Sequence, residues 1–285
     1  MEPFQTLDSA KAPSLFLLSD WMSVNNKLTA GFTGRSGGVS EEQWSSLNMG
    51  LHVGDSSEAV IRNRQLVASA LEWPFDAWSC AEQVHGHSVY KVERSDRGRG
   101  RERHQDAIAG CDAIITNVPG ILLVSYYADC VPLYFYDKDN NAVALAHAGW
   151  RGTVEQIAAH TIEAMQREYG TRTDALRAAI GPSISSCCYE VDGQVISSLE
   201  QLAHNYGLDP VQSGWMNRVS EEGKSQIDLK EINRQIMMKA GILPIHIELT
   251  KYCTGCRTDL FYSHRIEKGK TGRMASWIGI SEGER

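Results

Sequence analysis

The sequence predicts a mixed α/β fold built as a single domain over residues 1–285, and three observations lead there. Short runs rich in branched and aromatic residues recur along the whole chain. A few amphipathic stretches, each opened by a capping residue type, interrupt them. No repeat, low-complexity linker or change of composition marks an internal boundary.

Taken in order, the strand-like runs lie at 28–33, 80–84, 88–92, 113–116, 121–127, 132–136 and 142–146, then at 178–180, 244–249 and 275–280. Helices are expected to start near Ser56 or Ser57, at Thr153 and at Asp228, all N-cap residue types. In the second helix Val154, Ile157, Ala158, Thr161 and Met165 share a face, and Gly170 follows its end. Hairpins and helical crossovers are both present, so the sheets are expected to be mixed.

Composition removes several function classes. With 42% hydrophobic and 22% charged residues the chain is an ordinary globular one. Its 28 basic against 35 acidic residues leave a net charge of −7, which argues against a nucleic-acid partner unless the bases cluster. They cluster once, in RSDRGRGRER at 94–103, where glycine and acids are mixed in and no aromatic is interleaved; an exposed mobile loop is expected there. No run of about eighteen apolar residues exists, and MEPFQTLDSAK carries an acid before any apolar stretch. Neither a membrane span nor a secretory signal is therefore expected, and a cytoplasmic location follows. Seven cysteines, an odd number, disfavour a disulfide framework and leave thiols for packing, metal or catalysis.

Three side chains stand out chemically. Cys130 lies between two strand-like runs and just before Pro132, which has no N–H for a central ladder. His147 ends the run AVALAHA at a glycine-rich turn, where α/β sheets commonly place functional groups, and His85 sits beside Gly86 at the junction of two strand-like pieces. Two imidazoles and a thiolate suit Zn²⁺, with a fourth position left for water or substrate. The three are 45 and 17 positions apart and fit no short metal motif, so a small buried thiol and two carbonyl-bonded histidines remain the competing reading.

At these residues the chain resembles the YfiH/YlmD-like proteins, long labelled multicopper polyphenol oxidoreductases (laccases) and later described as purine nucleoside phosphorylases. The resemblance runs nearly end to end through FTGRSGGVS, SLNMGLHVGD, NRQLV, EQVHGHSV, ADCVPLYFYD, AHAGWRGT, AIGPSISSCCYEV, CTGC, FYSHR and TGRMASWIG. It implies a layered α/β/β/α sandwich, with His85, Cys130 and His147 as zinc ligands. It also implies phosphorolysis of adenosine, inosine, guanosine and methylthioadenosine, together with deamination of adenosine.

Phosphorolysis needs a cation or N–H cluster for phosphate besides the metal. Arg64 is the first candidate, because it interrupts the apolar face of its helix between Val60 and Val67; the alternative is an ion pair with Asp55 or Glu58. The resemblance adds Asn63 and Asn48, and Arg35 in the turn GRSGG offers another anion site or a plain turn. His87 could approach the metal, and Asp129 could orient a ligand or bind a ribose hydroxyl. The CTGC pair Cys253 and Cys256, with Cys187 and Cys188, is read as reduced structural thiols, since only one CxxC is present.

The expected activity is a zinc-dependent purine nucleoside phosphorylase with adenosine deaminase activity, acting on purine nucleosides and phosphate as monomer or homodimer. The alternatives are a Cys/His hydrolase with Cys130 as nucleophile, a zinc-stabilised binding protein, and a copper oxidase. Coupled copper centres consume many histidines, and nine scattered ones supply them poorly.

Overall fold

The structure, a computed structural model, describes residues 1–7 and 13–283; part of the N-terminal stretch considered above, and the last two residues of the expected domain, lie outside it. Two six-stranded sheets form the body. The first runs β1 (Gln5–Thr6), β2 (Leu15–Leu17), β3 (Leu28–Thr33), β14 (Met274–Ile280), β7 (Leu122–Tyr127), β4 (Trp78–Cys80). The second runs β13 (Ile247–Leu249), β10 (Arg177–Ile180), β8 (Val131–Asp137), β9 (Ala142–Ala148), β6 (Ala113–Thr116), β5 (Val89–Lys91). Each is antiparallel except at its ends, where β4 joins β7 in parallel and β13 and β5 join β10 and β6 in parallel, so both sheets are mixed as expected.

The central strands, such as β8 and β9, alternate between two covered faces, which explains why they are buried throughout. In β9, Ala142, Ala144, Ala146 and Ala148 face the helices α4 (Ile157–Tyr169), α5 (Gly193–Asn205) and α6 (Leu229–Lys239) through Ile162, Met165, Leu199, Ile232 and Ile236. Val143 and Leu145 instead face the other sheet, where they join Leu123, Tyr134 and Met274. On the far side of the first sheet, Leu122, Val124 and Trp277 pack against Val67 and Ala68 of α2 (Ser57–Ala70). The layers are thus helix, sheet, sheet, helices, with three apolar interlayers. A fully buried side chain such as Ile162 or Leu199 contributes about 1.5–3 kcal/mol.

Local chemistry sets the helix ends. The Ser56 hydroxyl accepts from Ala59 N at 3.3 Å, and the Asp228 carboxylate accepts from Glu231 N at 3.0 Å, as their residue types indicated. The expected start at Thr153 is corrected. A short helix α3 (Trp150–Val154) begins on Gly149, the chain turns at Gln156 with φ of 60°, and α4 follows. Thr153 is fully buried and accepts from Asn233 Nδ2 at 2.9 Å, so its hydroxyl serves packing rather than capping.

Other expectations shift too. The run 80–84 leaves the strand after Cys80 because Gln83 and His85 adopt φ of 65° and 63°, and 244–249 opens with a 3₁₀ turn at Pro244 before β13. Pro132 lies inside β8, paired with His147, and the ladder to β10 begins one residue later, at Leu133. Not foreseen were β1, β2, the helices α1 (Ser19–Val24) and α5, and the antiparallel pair of β11 (Glu190–Asp192) and β12 (Lys224–Gln226), which flanks α5 in the chain.

The arginine-rich stretch 94–103 is no loose loop. Glu93 and Asp96 cap its first turn reciprocally, and the carbonyls of Gly100 and Arg101 accept from Arg64. Its arginines at 94, 97, 99, 101 and 103 pair with Glu282, Asp76, Asp96, Glu102 and Asp106, which leaves no free basic face.

Candidate functional site

The site grows out of strand register. Continuing the alternation of β9, His147 follows Val143 and Leu145 onto the inter-sheet face. Its antiparallel partner across β6 is Asp112, one residue before Ala113, because Ala113 pairs with Ala146. His147 N donates to Asp112 O at 2.8 Å, and the side chains meet as Nδ1 to Oδ1 at 2.9 Å. Asp112 is fully buried, and its carboxylate also accepts from His85 N at 2.9 Å and Gly86 N at 2.8 Å. One carboxylate therefore fixes the ring of His147 and the backbone of His85. With Nδ1 so engaged, His147 has Nε2 for a ligand.

His85 and Cys130 reach the same rim from connections between the sheets. His85 lies between β4 and β5, and Cys130 in the three-residue crossing from β7 to β8. Their ligand atoms and that of His147 all lie within 4.8 Å of one another, and the two imidazoles meet edge to face at 4.9 Å. Gly149 makes room: a Cβ there would come within 3.1 Å of Cys130 Sγ and 3.3 Å of His85 Cδ2.

Burial alone would raise the Cys130 thiol, but the charge and hydrogen bonds of His147 and His85 outweigh it and bring the pKa down to about 6. Burial would lower His147, and the Cys130 thiolate with the Asp112 hydrogen bond carries it instead up to about 9. Burial also opposes ionisation of Asp112, whose hydrogen bonds from His147, Gly86 and His85 hold it below the usual carboxylate range.

The three residues open onto a cavity of about 580 Å³, within the range of small-molecule sites. Tyr126, Tyr189 and Trp150 give it aromatic wall, and Arg265 and Arg273 give it cations. His52 joins the lining, its pKa lowered by burial and by Arg273 to about 4.

The anion-binding candidates from the sequence are not among the lining residues. Arg64 is buried over the Tyr126 ring at 4.3 Å, and its guanidinium donates to the carbonyls of Met49, Gly100 and Arg101 rather than to Asp55, Glu58 or an open site. Asn63 binds Val39 N, Ser40 Oγ and the carbonyls of Ser46 and Asn48. Asn48 ties Gly50 and Asp55 together and accepts from Arg273 N at 2.8 Å, so it touches the cavity only through Arg273. Arg35 pairs with Glu267 at 3.1 Å and stacks on Tyr262. His87 turns outward to Glu155 at 2.8 Å. Asp129 accepts from Thr254 Oγ1 at 2.8 Å and Arg265 N at 3.0 Å, holding two loops.

Sequence reasoning missed Asp112, Gly149, Arg265 and Arg273. Arg265 and Arg273 lay inside the quoted motifs FYSHR and TGRMASWIG. Asp112 was visible only as the residue preceding the apolar run AIIT, a signal that needs the β6–β9 register to be read.

Among known proteins, residues 29–281 match the family described as multi-copper polyphenol oxidoreductase laccase. Curated relatives named purine nucleoside phosphorylase YlmD include one from Bacillus subtilis (strain 168), 39% identical over 277 residues, covering 96% of this chain and 97% of the relative. Another, from Geobacillus stearothermophilus, is 42% identical over 253 residues, covering 89% and 90%. The crystal structure of YlmD from Geobacillus stearothermophilus superposes with a TM-score of 0.90 at 39% identity, covering 99% of this chain and all (100%) of that one. A hypothetical protein YfiH from Bacillus licheniformis gives 0.88 at 41%, covering 97% and 99%. The class defined by fold and site is thus that of the mixed α/β sandwich enzymes with a His/Cys/His cluster at the sheet rim. The chain belongs to the YfiH/YlmD-like, laccase-labelled family, whose curated relatives here are named purine nucleoside phosphorylases.

Proposed function

We propose that the protein is a zinc-dependent purine nucleoside phosphorylase with adenosine deaminase activity, and that His85, Cys130 and His147 hold the zinc. The observation that carries this is the convergence of two imidazoles and one depressed-pKa thiol at the rim of a nucleoside-sized cavity. Zinc bonds of about 2.0–2.3 Å give ligand-to-ligand edges of about 3.3–3.8 Å, close enough to this trio for small side-chain shifts to complete. Asp112 on His147 Nδ1 is the carboxylate partner that metal-binding histidines usually have. When bound, the ion supplies Lewis acidity and a means of activating water for attack on an adenine ring carbon.

The chain's own groups do the rest. Arg273 and Arg265 hold phosphate in the cavity so that one of its oxygens approaches C1′ of the ribose. As the C1′–N9 bond breaks, the electron pair leaves with the base, and the neutral imidazole of His52 donates a hydrogen bond to a purine ring nitrogen. Tyr189 and Trp150 supply faces for the flat base and keep water away. The test incubates purified protein with inosine and phosphate and looks for hypoxanthine with ribose 1-phosphate, and in parallel follows adenosine to inosine without phosphate. Product formed equally by Cys130→Ala overturns the reading.

A second reading has its own support. Cys130, His147 and Asp112 stand as thiolate, imidazolium and carboxylate in line, the arrangement of a cysteine hydrolase. Zinc lost on Cys130→Ala decides between the two, since a thiolate bound to zinc is withdrawn from nucleophilic attack. Copper oxidase chemistry has less to work with: among the described residues, clusters of three or more potential ligands number two, and only one contains histidine.

A further inference from the structure

We propose that Cys187, Cys188, Cys253 and Cys256 form a second metal site, a closed tetrahedral Zn²⁺ centre that fixes the cavity rim. Residues 187–188 lie between β10 and β11, and residues 253–256 between β13 and β14, so the centre would join two segments far apart in the chain. It stands independently of the assignment of His85, Cys130 and His147.

The four sulfurs all lie within 4.8 Å of one another. Cys187 to Cys253 is 3.6 Å, and Cys256 is 3.4 Å from both Cys187 and Cys188. Four Zn–S bonds of about 2.3 Å place sulfurs about 3.7 Å apart at the corners of a tetrahedron. A disulfide needs about 2.05 Å, so these are not bonded pairs. An iron–sulfur cube would stand between its cysteines and spread them farther than a single ion does.

The backbone is shaped for thiolates. Ser185 N donates to Cys253 Sγ at 3.3 Å, and Cys256 N supports the same sulfur. Four thiolates so close ionise together only around a cation. Gly255 permits the approach, because a Cβ there would sit 2.8 Å from Cys188 Cβ and 3.1 Å from its sulfur. Beneath the cluster the buried ammonium of Lys230 donates to the carbonyls of Thr250 and Tyr252, and its positive charge offsets part of the excess negative charge of a zinc with four thiolates.

The centre has a direct line to the cavity. Thr254, between the paired cysteines, donates to Asp129 beside Cys130, and Ile184 and Tyr189 flank Cys187 and Cys188 on the cavity wall. Locking 187–188 to 253–256 therefore positions Cys130 and the aromatic wall. The site is structural rather than catalytic, because all four corners belong to protein.

The test measures zinc by elemental analysis in full-length protein purified without chelators, beside its intact mass. Wild type is expected to carry about two zinc ions per chain, with about one in Cys253→Ser/Cys256→Ser and about one in Cys130→Ala. An unchanged zinc content in the double variant, or a mass short of hydrogen pairs that reduction restores, overturns the proposal. Should the double variant not fold, cobalt-reconstituted wild type decides. Its sulfur-to-cobalt charge-transfer absorption is expected to keep about four-fifths of its strength in Cys130→Ala, since four of the five thiolates lie in this cluster. Disappearance of that absorption in Cys130→Ala overturns the second site.

Discussion

Replacing Asp112 by asparagine tests the core of the site without changing its volume. The carboxylate accepts from His147 Nδ1 at 2.9 Å, His85 N at 2.9 Å and Gly86 N at 2.8 Å, the first two on Oδ1 and the third on Oδ2. With the amide oxygen kept at Oδ1, the amide nitrogen faces the N–H of Gly86 and one charge-assisted bond is lost, worth about 1.5–3 kcal/mol. In metal-free protein this lowers the melting temperature by roughly 3–12 °C at about 2–4 °C per kcal/mol. Loss of the charged partner on His147 weakens the ligand set, so the zinc dissociation constant is expected to rise about 10–100-fold, equivalent to about 1.4–2.7 kcal/mol. Competition against a chromogenic chelator at fixed pH measures the second quantity, and calorimetry of the chelator-treated protein the first. A variant that binds zinc within twofold of wild type and melts unchanged would refute the role given to Asp112.

Further outcomes follow from the same geometry. Gly149→Ala must move Cys130 or His85 by a few tenths of an ångström; zinc binding should weaken about tenfold, and more in Gly149→Val, with the chelator competition as readout. Arg64→Met orphans the carbonyls of Met49, Gly100 and Arg101 and is expected to destabilise by about 3–5 kcal/mol, seen as a fall of roughly 6–20 °C in calorimetry; an unchanged melt would contradict the buried network. In metal-free protein, alkylation of Cys130 by iodoacetamide should rise with pH to a midpoint near its pKa of about 6, because deprotonation produces the reactive thiolate that His147 stabilises; a midpoint near that of a free thiol, about 8.5, would deny that pairing. Peptide mass spectrometry separates it from Cys187, whose pKa of about 11 keeps it slow there.

Much of the architecture was legible because strands covered on both faces read as continuous apolar runs: β3 and β6 lie where the pattern put them, and β7, β8, β9 and β14 within a residue or two. Helix α5 escaped because Val195, Ile196 and its serines are poor helix formers, although Ile196, Leu199, Leu202 and Ala203 keep helical spacing. Glycine could not separate the helix start at Gly149 from the later Thr153, since both are acceptable caps. At the site, residue types and a long resemblance singled out His85, Cys130 and His147, which the fold brings together. The placement of Arg64 was not legible for a physical reason: a charge on an apolar helix face demands partners, and here backbone carbonyls satisfy the demand as well as phosphate would. Asp112 stayed hidden because cross-strand neighbours are a property of register, which one sequence does not display.

The placement of β14 between β3 and β7 bears on how the molecule is made. A ribosome releases every strand of the second sheet, from β5 to β13, before this strand exists, so that sheet can pair while β3 and β7 wait with a gap between them. Arg273 arrives with the same segment, one residue ahead of β14. The nascent chain thus gathers His85, Cys130 and His147 early and gains Arg273, the second of its two cavity arginines, only when the gap closes, which withholds the finished cavity from any incomplete product of translation.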